Sequence, residues 1–514
     1  MTTKAGNLFT TAYLLLIFCI YPFYMKEGYV DIGESKYHFF LYSSLAALLI
    51  LAILAGVGAA GRIWQRYKKR EAYLIQWEKV RISSTDLFVG LYVLAIAISY
   101  LLSDFPQEAL WGTEGWRIGL VLLLILCGLY FLTSRQWEAS SFVWYGAMAA
   151  SGLVFLLGIL DRFSIYLIPI SIRDPAFIST LGNINWFCGY LSVLVPIGGC
   201  IYLFSTGSVQ RGFSAVYLFL AFTAGFCQGS SSVFLFWAAM FLVLLWISIL
   251  KREWIGRWFF LAALWGFSAR AAGGLRALFP EGYNYEIDNP CLLLADSNLI
   301  LVAAVFCTWI SFFLNRRSKR NPGIVRKYKM IRRILVGISM LGIILFGALL
   351  FVNTMYGVPG LAGNGFFCLG KDWGNGRGAA WRAGADAFAR MSGIKMLFGA
   401  GPDCFSAYVY SEPHTAGMLR DYFGSSRLTN AHNELLTSLI NTGVVGTFCY
   451  YGIFISGIVR GLKSVEGRLD LIIPAVCIFC YLVHNTVSFA QVLNLPFVFL
   501  IVAMGEAMHR KTGI

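Results

Sequence analysis

Charge is scarce in this sequence: Asp, Glu, Lys and Arg make up 13% of its 514 residues, whereas a soluble domain carries about 25%. Hydrophobic residues reach 58%, and the excess runs from one end of the chain to the other. This composition excludes a soluble enzyme, a disordered chain and a coiled coil. It indicates an all-α polytopic membrane protein.

Signatures of energy-driven and metal-dependent chemistry are also missing. No Gly-x-x-x-x-Gly-Lys-Ser/Thr loop occurs, so no ATP-binding site is visible. No Cys/His cluster has zinc spacing, since the pair Cys477-x-x-Cys480 lies inside an apolar run without further ligands. No Asp-x-Asp stands at an external span end, and Glu286-Ile287-Asp288 is a weak metal signal. We therefore expect no metal and no cofactor.

Apolar runs of roughly 17–22 residues, each long enough to cross a bilayer as a helix, occur fourteen times. The runs 213–228 and 231–250 can instead form one hairpin broken at 229–232, which leaves the count open by two. The first run ends at Tyr24 without a small-residue cleavage site, so we interpret it as a retained span. The predicted spans are 8–25, 38–60, 86–103, 118–134, 142–160, 185–204, 213–228, 231–250, 257–275, 297–314, 334–353, 439–459, 470–488 and 491–508.

The net charge of +15 comes from 41 Lys and Arg against 26 Asp and Glu. The basic residues concentrate in loops 61–85 and 315–333, which is the positive-inside pattern and not a nucleic-acid surface. We place both loops and both termini in the cytoplasm, where basic residues can also contact anionic membrane lipids. The chain then divides into two spans with a basic loop (1–85), a transmembrane core (86–353), a large, partly helical external loop (354–431) and C-terminal transmembrane helices (432–514).

The external loop is 78 residues long, and loops of that length are uncommon without a function. It retains Lys and Arg, which external loops usually lack, so we infer an anionic ligand at the outer face. Cys291, Cys368 and Cys404 fall in predicted external segments, and a disulfide between two of them stays open. The basic residues of the loop are Lys371, Arg377, Arg382, Arg390, Lys395, Arg420 and Arg427.

Arg377 stands in a Gly-rich turn before a predicted helix, and no acidic residue follows it within four positions. A loop arginine with free donors suits bidentate recognition of a phosphate, and a solvated loop charge is the alternative. Trp381 lies on the predicted apolar face of the helix. Arg382, Asp386 and Arg390 follow at helical spacing, so a salt-bridged surface and a ligand-binding surface are equally open.

His432 closes the loop. Thr429 or Asn430 can cap the helix that follows, which places His432 in its first turn, where the helix dipole keeps the imidazole neutral. A neutral His can accept a proton or hydrogen-bond an acceptor hydroxyl, and a structural His at the membrane interface is the alternative. His484 and Asn485 lie in an apolar run, and we interpret His484 as a hydrogen-bonding group between core helices, although an intramembrane His is also a functional candidate.

Two further stretches can approach a ligand. The run from Phe398 to Phe405 contains Gly401-Pro402, whose backbone can pass close to a ligand or another segment, and a plain tight turn is the alternative. At the start of a span, Asn183 and Asn185 carry amides that suit a sugar contact. A turn with an aromatic residue is the alternative there.

Together these pieces resemble the O-antigen ligase and polymerase family. The resemblance covers roughly residues 90–505, and the first two spans look like an addition to it. The motifs, in matching order, are Trp111-Gly112-x-x-x-x-Arg117-x-Gly119-Leu120, Thr180-Leu181-Gly182-Asn183-x-Asn185, Arg377-x-x-x-Trp381, Phe398-Gly-Ala-Gly-Pro402-x-x-Phe405 and Ala431-His432-Asn433-x-x-Leu436.

The resemblance implies metal-independent glycosyl transfer at the outer face of the bacterial cytoplasmic membrane. The donor is an oligosaccharide on polyprenyl pyrophosphate, and the acceptor is a growing polysaccharide, another glycan, a lipid or a protein. Basic residues would stabilise the pyrophosphate leaving group. The predicted catalytic residues are Arg377 and His432, and the predicted substrate-binding residues are Arg382, Trp381, Asn433, Gly182, Asn183, Asn185, Gly401, Pro402 and Arg270.

One departure from the family pattern stands out. Members commonly carry an Arg after a Ser near the outer end of an earlier span, and here the matching stretch 229–233 reads Gly-Ser-Ser-Ser-Val. Either Arg270 or Arg382 replaces that cation, or the grip on the donor differs.

Two other classes compete with an enzyme: a lipid-linked oligosaccharide flippase and a nonenzymatic assembly protein of the membrane. A flippase places its cations within the spans that line a central cavity. This sequence gathers them in one external loop, which favours the enzyme. Polymerase and ligase differ in the acceptor, and that choice stays open.

Overall fold

A computed structural model of the protein describes residues 4–68, 82–170, 173–285, 290–320, 325, 327–362, 367–464 and 469–512. These residues fold into helices joined by short connections, which confirms the all-α prediction. One short antiparallel pair is present as well, between Phe177–Ile178 (β1) and Gly182–Asn183 (β2). The weak metal signal at 286–288 lies outside the described residues.

The helices are numbered here in chain order. They are α1 (Lys4–Leu15, continued by a π turn, Leu16–Ile20, and a 3₁₀ turn, Tyr21–Phe23), α2 (Ile32–Lys68), α3 (Ser84–Leu101), α4 (Pro106–Trp111), α5 (Leu120–Gln136), α6 (Ser141–Arg162), α7 (Ile184–Phe204), α8 (Ser208–Cys227), α9 (Val233–Ser248), α10 (Arg252–Leu278), α11 (Pro290–Asp296), α12 (Asn298–Arg320), α13 (Tyr328–Tyr356), α14 (Trp373–Ala389), α15 (Gly393–Phe398), α16 (Phe405–Ser411), α17 (Pro413–Phe423), α18 (Glu434–Lys463), α19 (Ile472–His484, after a 3₁₀ turn, Leu469–Leu471) and α20 (Leu495–Thr512).

A helix lies over each of the fourteen predicted spans. Among the described residues, eight helical stretches are long and apolar enough to cross a membrane, and three shorter apolar helices accompany them. These findings fit a multi-pass membrane protein, while the count of fourteen spans and the side on which each loop lies stay predictions.

Two helices mark the extremes of burial in the bundle. In α7, 94% of the most apolar window is buried inside the protein, because α6, α8, α9 and α19 surround it. In α13 the corresponding figure is 6%, although α13 is the more hydrophobic of the two. A helix that is apolar on every side yet exposed is suited to lipid, so α13 has the character of a helix at the periphery of the bundle.

The segment between α13 and α18 has a core of its own. Small and apolar side chains of α14, α16 and α17 pack together there, among them Ala380, Ala383, Phe405 and Leu419. The prediction that this loop is partly helical is thus confirmed, since it contains α14 to α17. We call the end of the bundle that carries α14 to α17 the loop side.

All twelve cysteines, including Cys291, Cys368 and Cys404, are free thiols in the structure. The disulfide left open by the sequence is therefore not formed.

Candidate functional site

The connection between α19 and α20 holds the centre of the candidate site together. Three consecutive carbonyls, those of residues 485–487, accept hydrogen bonds from three donors that the sequence places far away. They receive the backbone N–H of Glu434 at 2.9 Å, the Nδ2 of Asn433 at 3.0 Å and the Nε of Arg377 at 2.9 Å. We call residues 485–487 the carbonyl ladder. It brings the start of α14 and the start of α18 to one place.

Arg377 begins the regular part of α14. The three residues before it, 374–376, have left-handed backbones, which glycine tolerates best, and they turn the chain into the helix. Besides the bond to the ladder, the Nη1 of Arg377 donates to the carbonyl of Gly374 at 2.8 Å. Among the described residues no carboxylate pairs with Arg377, so three of its five N–H donors stay uncommitted. Burial lowers the pKa of Arg377 from its usual value without discharging the group.

His432 lies just before α18 and not in its first turn. Its backbone is left-handed, at φ 49°, and Asn433 caps the helix by accepting the N–H of Leu436 at 3.0 Å. The prediction that Thr429 or Asn430 caps α18 is therefore wrong. Asn430 instead accepts the backbone N–H of His432 at 2.9 Å, which fixes the turn that carries the ring.

The imidazole of His432 is neutral at pH 7, as the sequence predicts, but for a different reason. Burial and the nearby charge of Arg377 lower the pKa of His432 from 6.5 to about 4. The ring packs edge-on against Phe489, with centroids 5.1 Å apart. Its Nδ1 is shielded from solvent and makes no hydrogen bond within the described residues. A buried polar atom without a hydrogen bond lowers the stability of the folded protein, unless a bound substrate supplies the missing hydrogen bond.

Below the carbonyl ladder, a chain of polar side chains joins three helices of the bundle. The Oγ of Ser230 donates to Asn185 at 3.0 Å and lies 2.8 Å from the Oγ of Ser232. Ser232 in turn lies 3.3 Å from the Nε2 of His484. The interpretation of His484 as a hydrogen-bonding group between core helices is confirmed. Asn185, one of the predicted binding residues, belongs to this chain.

Among the described residues, neither predicted candidate for the missing cation forms a hydrogen bond with the serine stretch. Arg382 is exposed and donates to the carbonyl of Leu369 at 2.9 Å, and Arg270 donates to the carbonyl of Ala295. Neither contact reaches Ser230. A different cation lies there instead.

That cation is Arg162, the last residue of α6, which is 1% exposed. It donates to the carbonyl of Gln228 at 2.6 Å, just before the serine stretch, and to the carbonyl of Pro175 at 2.6 Å. Sequence reasoning missed Arg162, although an arginine at the end of an apolar run was the available signal. Arg162 stabilises the backbone just before the serine stretch, and its burial keeps it from contacting a lipid-linked donor in this conformation.

Several other predicted binding residues have structural roles. Asn183 caps α7 by accepting the N–H of Asn185 at 2.9 Å, and Gly182 occupies a left-handed position in the turn before it. Trp381 is half-buried and packs against Trp373, with ring centroids 5.0 Å apart. On the same helix, Asp386 pairs with Arg390 at 2.7 Å, so the salt-bridged alternative holds for Arg390.

The Gly401-Pro402 motif approaches another segment of the protein. The N–H groups of Ala400 and Gly401 donate to the carbonyls of Ile440 and Asn441 in α18, at 2.8 and 2.9 Å. A Cβ on Gly401 would collide with the Oγ of Ser103. Among the alternatives left open, contact with another segment is therefore the one the structure shows.

Asp403, directly after this motif, holds a turn that borders the site. Its buried carboxylate accepts the N–H of Thr113 at 2.7 Å and that of Ile118 at 3.0 Å. Burial raises the pKa of Asp403 to about 7, against the two N–H donors that lower it. Arg117 in the same turn pairs with Glu34 of α2 at 2.8 Å, so α2 contributes to this end of the protein.

A polar cleft opens on the loop side next to this turn. It has a volume of about 500 Å³, and its neighbour of about 620 Å³ shares Arg427 with it. Trp111 is 44% exposed at the wall. Behind the wall, Trp116 packs on Phe489 at 5.0 Å, and Phe489 contacts His432. Two aromatic rings, those of Trp116 and Phe489, thus connect this wall to His432. The cleft is lined by Glu108, Trp111, Thr113, Arg117, Arg427 and Thr429.

An apolar groove of about 550 Å³ runs between α3 and α18. It starts at Leu435, beside the capping residue of α18, and reaches Lys463 at the other end of the helix. Phe88, Phe448 and Ile455 line it along the way. Within the residues that the structure describes, no group of three or more His, Cys, Asp or Glu side chains is placed to hold a metal ion.

The fold and site define a multi-pass α-helical membrane protein in which a long segment on the loop side meets the ends of the membrane helices. Residues 291–451 match the family described as O-Antigen ligase, which confirms the resemblance drawn from the motifs for this part of the chain. Arg377 and His432 lie inside the matched region, whereas Asn185, Ser230 and the carbonyl ladder lie outside it. No curated protein matches the chain by sequence.

Proposed function

We propose that the protein transfers an oligosaccharide from polyprenyl pyrophosphate to a growing polysaccharide or another acceptor, at the outer face of the bacterial cytoplasmic membrane and without a metal. The observation that carries this proposal is the joint placement of Arg377 and His432 by the carbonyl ladder. A family match that covers both residues supports it.

Arg377 stabilises the leaving pyrophosphate. Negative charge develops on the bridging oxygen as the glycosidic bond breaks, and fixed cations aimed at that oxygen lower the barrier. The ladder and the carbonyl of Gly374 hold the guanidinium in one orientation while its remaining donors stay available. A planar group held in this way forms paired hydrogen bonds to phosphate oxygens, which an ammonium cannot reproduce.

His432 orients the acceptor hydroxyl and takes its proton late in the reaction. In the tautomer that carries its proton on Nε2, the Nδ1 of His432 is an acceptor without a donor among the described residues, and a sugar hydroxyl that enters the site supplies that donor. A pKa of about 4 makes the free enzyme's imidazole a weak base. When the anionic donor neutralises the charge of Arg377, one cause of that low pKa is removed, and His432 becomes more basic as the substrate binds.

The two open regions next to these residues suit the two ends of a lipid-linked oligosaccharide. The α3–α18 groove is apolar and begins beside Asn433, where a polyprenyl tail can enter from the bilayer. The polar cleft at Trp111 offers an exposed aromatic face, carboxylates and guanidinium groups, which suit the mixed apolar and hydroxylated faces of sugars.

The test is transfer by the purified protein with lipid-linked oligosaccharide and a chelator present. Elongated chains identify a polymerase, and glycan on a separate acceptor identifies a ligase. Arg377→Lys is the critical variant, and Arg390→Ala on the same helix is its matched control. Movement of the lipid-linked oligosaccharide across vesicles without transfer would instead support a flippase. If the protein neither moves nor transfers the lipid-linked oligosaccharide, the remaining alternative is a nonenzymatic assembly protein of the membrane.

A further inference from the structure

Helix α13 is fastened to the rest of the protein mainly at its two ends. Near its start, Arg332 donates to the carbonyls of Trp246 and Ile247 in α9, at 2.7 and 3.2 Å. Near its end, the Nδ2 of Asn353 donates to the carbonyl of Phe367 at 2.8 Å. The helix between these points is exposed on most sides, so its position depends on what lies at its ends.

A cleft of about 500 Å³ lies between α9, α13 and α18 at the end opposite the loop side. Its lining combines apolar side chains, such as Trp246 and Leu462, with three cations besides Arg332, namely Lys329, Arg333 and Lys463. No carboxylate among the described residues forms an ion pair with any of the three cations. Like charges gathered around an apolar cleft repel one another unless an anion lies between them.

The surroundings of the cleft favour a phospholipid over a free anion. Arg316 and Arg317 end α12 on this same side, so the cleft lies where a membrane surface would meet the bundle. Lys463 also lines the apolar α3–α18 groove, which runs from there along the length of α18. A ligand with a negative head and a long apolar chain satisfies both regions at once, and basic pockets between membrane helices bind such heads.

We propose that the cleft binds the headgroup of an anionic phospholipid, which bridges Lys329 and Arg333 of α13 to Lys463 of α18. An acyl chain of the lipid lies in the end of the α3–α18 groove that Lys463 lines, whereas the polyprenyl tail of the donor enters at the other end, beside Leu435. The other end of α18 carries Asn433, and α13 leads into the segment that carries Arg377. The lipid therefore ties α18, which begins directly after His432 and Asn433, to the helix that precedes the segment with Arg377.

The experiment measures lipid binding and needs no turnover, so its result is independent of the proposed glycosyl transfer. The intact protein is reconstituted in nanodiscs of phosphatidylglycerol and phosphatidylcholine, and retained lipid is counted by native mass spectrometry. Lys329→Gln/Lys463→Gln is compared with Arg316→Gln/Arg317→Gln, which removes the same charge from the exposed end of α12. Thermal melting of both variants verifies folding.

Wild-type protein should retain phosphatidylglycerol in preference to phosphatidylcholine. The Lys329/Lys463 variant should lose about thirtyfold in that preference, since each cation near an anionic lipid is worth roughly fivefold in affinity. The Arg316/Arg317 control should stay within about twofold of wild type. Equal losses in the two variants would mean general surface charge and would overturn the site. Displacement of the lipid by inorganic phosphate at millimolar concentration would also overturn it, in favour of a free-anion site.

Discussion

The candidate site has a firmly held side and an open side. On the held side, Arg377 and His432 are half-buried, and backbone hydrogen bonds fix the segments that carry them. On the open side, Trp111 and Arg427 line a cleft that is accessible to solvent. In the proposed reaction, cleavage of the sugar–phosphate bond requires reactive groups that are held in fixed positions. Binding of a glycan with many sugar units requires instead an extended, accessible surface. We therefore expect substitutions on the held side to lower kcat and substitutions on the open side to raise KM.

Arg377→Ala gives the largest expected effect. Removal of one fixed donor from a developing anion costs roughly 3–4 kcal/mol, or about 10²–10³ in kcat. Arg377→Lys should recover little, because an ammonium makes no paired contact. The measurement is turnover per correctly inserted molecule, with Arg390→Ala as the control. Unchanged turnover in Arg377→Ala would remove Arg377 from the mechanism.

His432→Ala should lower kcat by about 10², the lower end of the range for general-base assistance, because a base with a pKa near 4 is weak. His432→Gln should retain part of the rate if orientation of the hydroxyl is the main contribution. The donor should bind normally to both variants. A stability loss with normal turnover per folded molecule would show that His432 only packs against Phe489.

The pKa of His432 also predicts a pH dependence. Because the folded-state pKa of about 4 lies below the usual 6.5, the unfolded chain binds more protons between these values. The contribution of His432 to stability is therefore lost as pH falls from about 6.5 to about 4. Melting temperatures of wild type and His432→Gln across this interval should converge towards low pH. Parallel curves would contradict the low pKa.

Asp403 tests the link between the two sides, because it holds the turn that carries Trp111 and Trp116. Asp403→Ala leaves two buried N–H groups without an acceptor and should cost about 2–3 kcal/mol of stability. Asp403→Asn keeps the acceptor and should be nearly neutral. Since the folded-state pKa is raised to about 7, the wild type should lose stability as pH rises from about 4 to 7, and Asp403→Asn should lack that slope. Thermal melts against pH decide the point.

Trp111→Ala gives the smallest expected effect. Loss of one exposed aromatic contact should raise the KM for the lipid-linked oligosaccharide about tenfold, equivalent to about 1.4 kcal/mol, with kcat unchanged. Trp111→Phe should restore most of the affinity. Trp309→Ala, an exposed tryptophan on α12, is the control. A drop in kcat with constant KM would place Trp111 on the held side of the site.

Sequence reasoning located the helices well, because an uninterrupted apolar run has few other structures open to it. The sequence also predicts Arg377 as a site residue, because it shows a glycine-rich turn before a helix and no acidic residue in the four positions that follow. The sequence predicts Thr429 or Asn430 as the cap of α18, because any of several adjacent polar residues can cap a helix. The backbone angles at each position determine which of them does so, and these angles are not visible in the sequence. Asn433 prevailed because the chain is already left-handed at His432.

The carbonyl ladder lay beyond sequence reasoning for a physical reason. Its acceptors are backbone oxygens, which every residue carries, and its three donors lie at least 50 residues earlier in the chain. The position of Arg162 at the end of an apolar run is visible in the sequence, but its partners are not, because they are the backbone carbonyls of Pro175 and Gln228. Contacts between side chains and distant backbone atoms have no local pattern, so only the folded chain shows them.

The carbonyl ladder also determines when, during synthesis of the chain, the parts of the candidate site can come together. Residues 377 and 432 are made and inserted well before residues 485–487, which complete their support. A nascent chain that has reached the end of α18 therefore carries Arg377 and His432 without the hydrogen bonds from their segments to residues 485–487. The hydrogen bonds that hold the starts of α14 and α18 together can form only after α19 and the connection that follows it have been made.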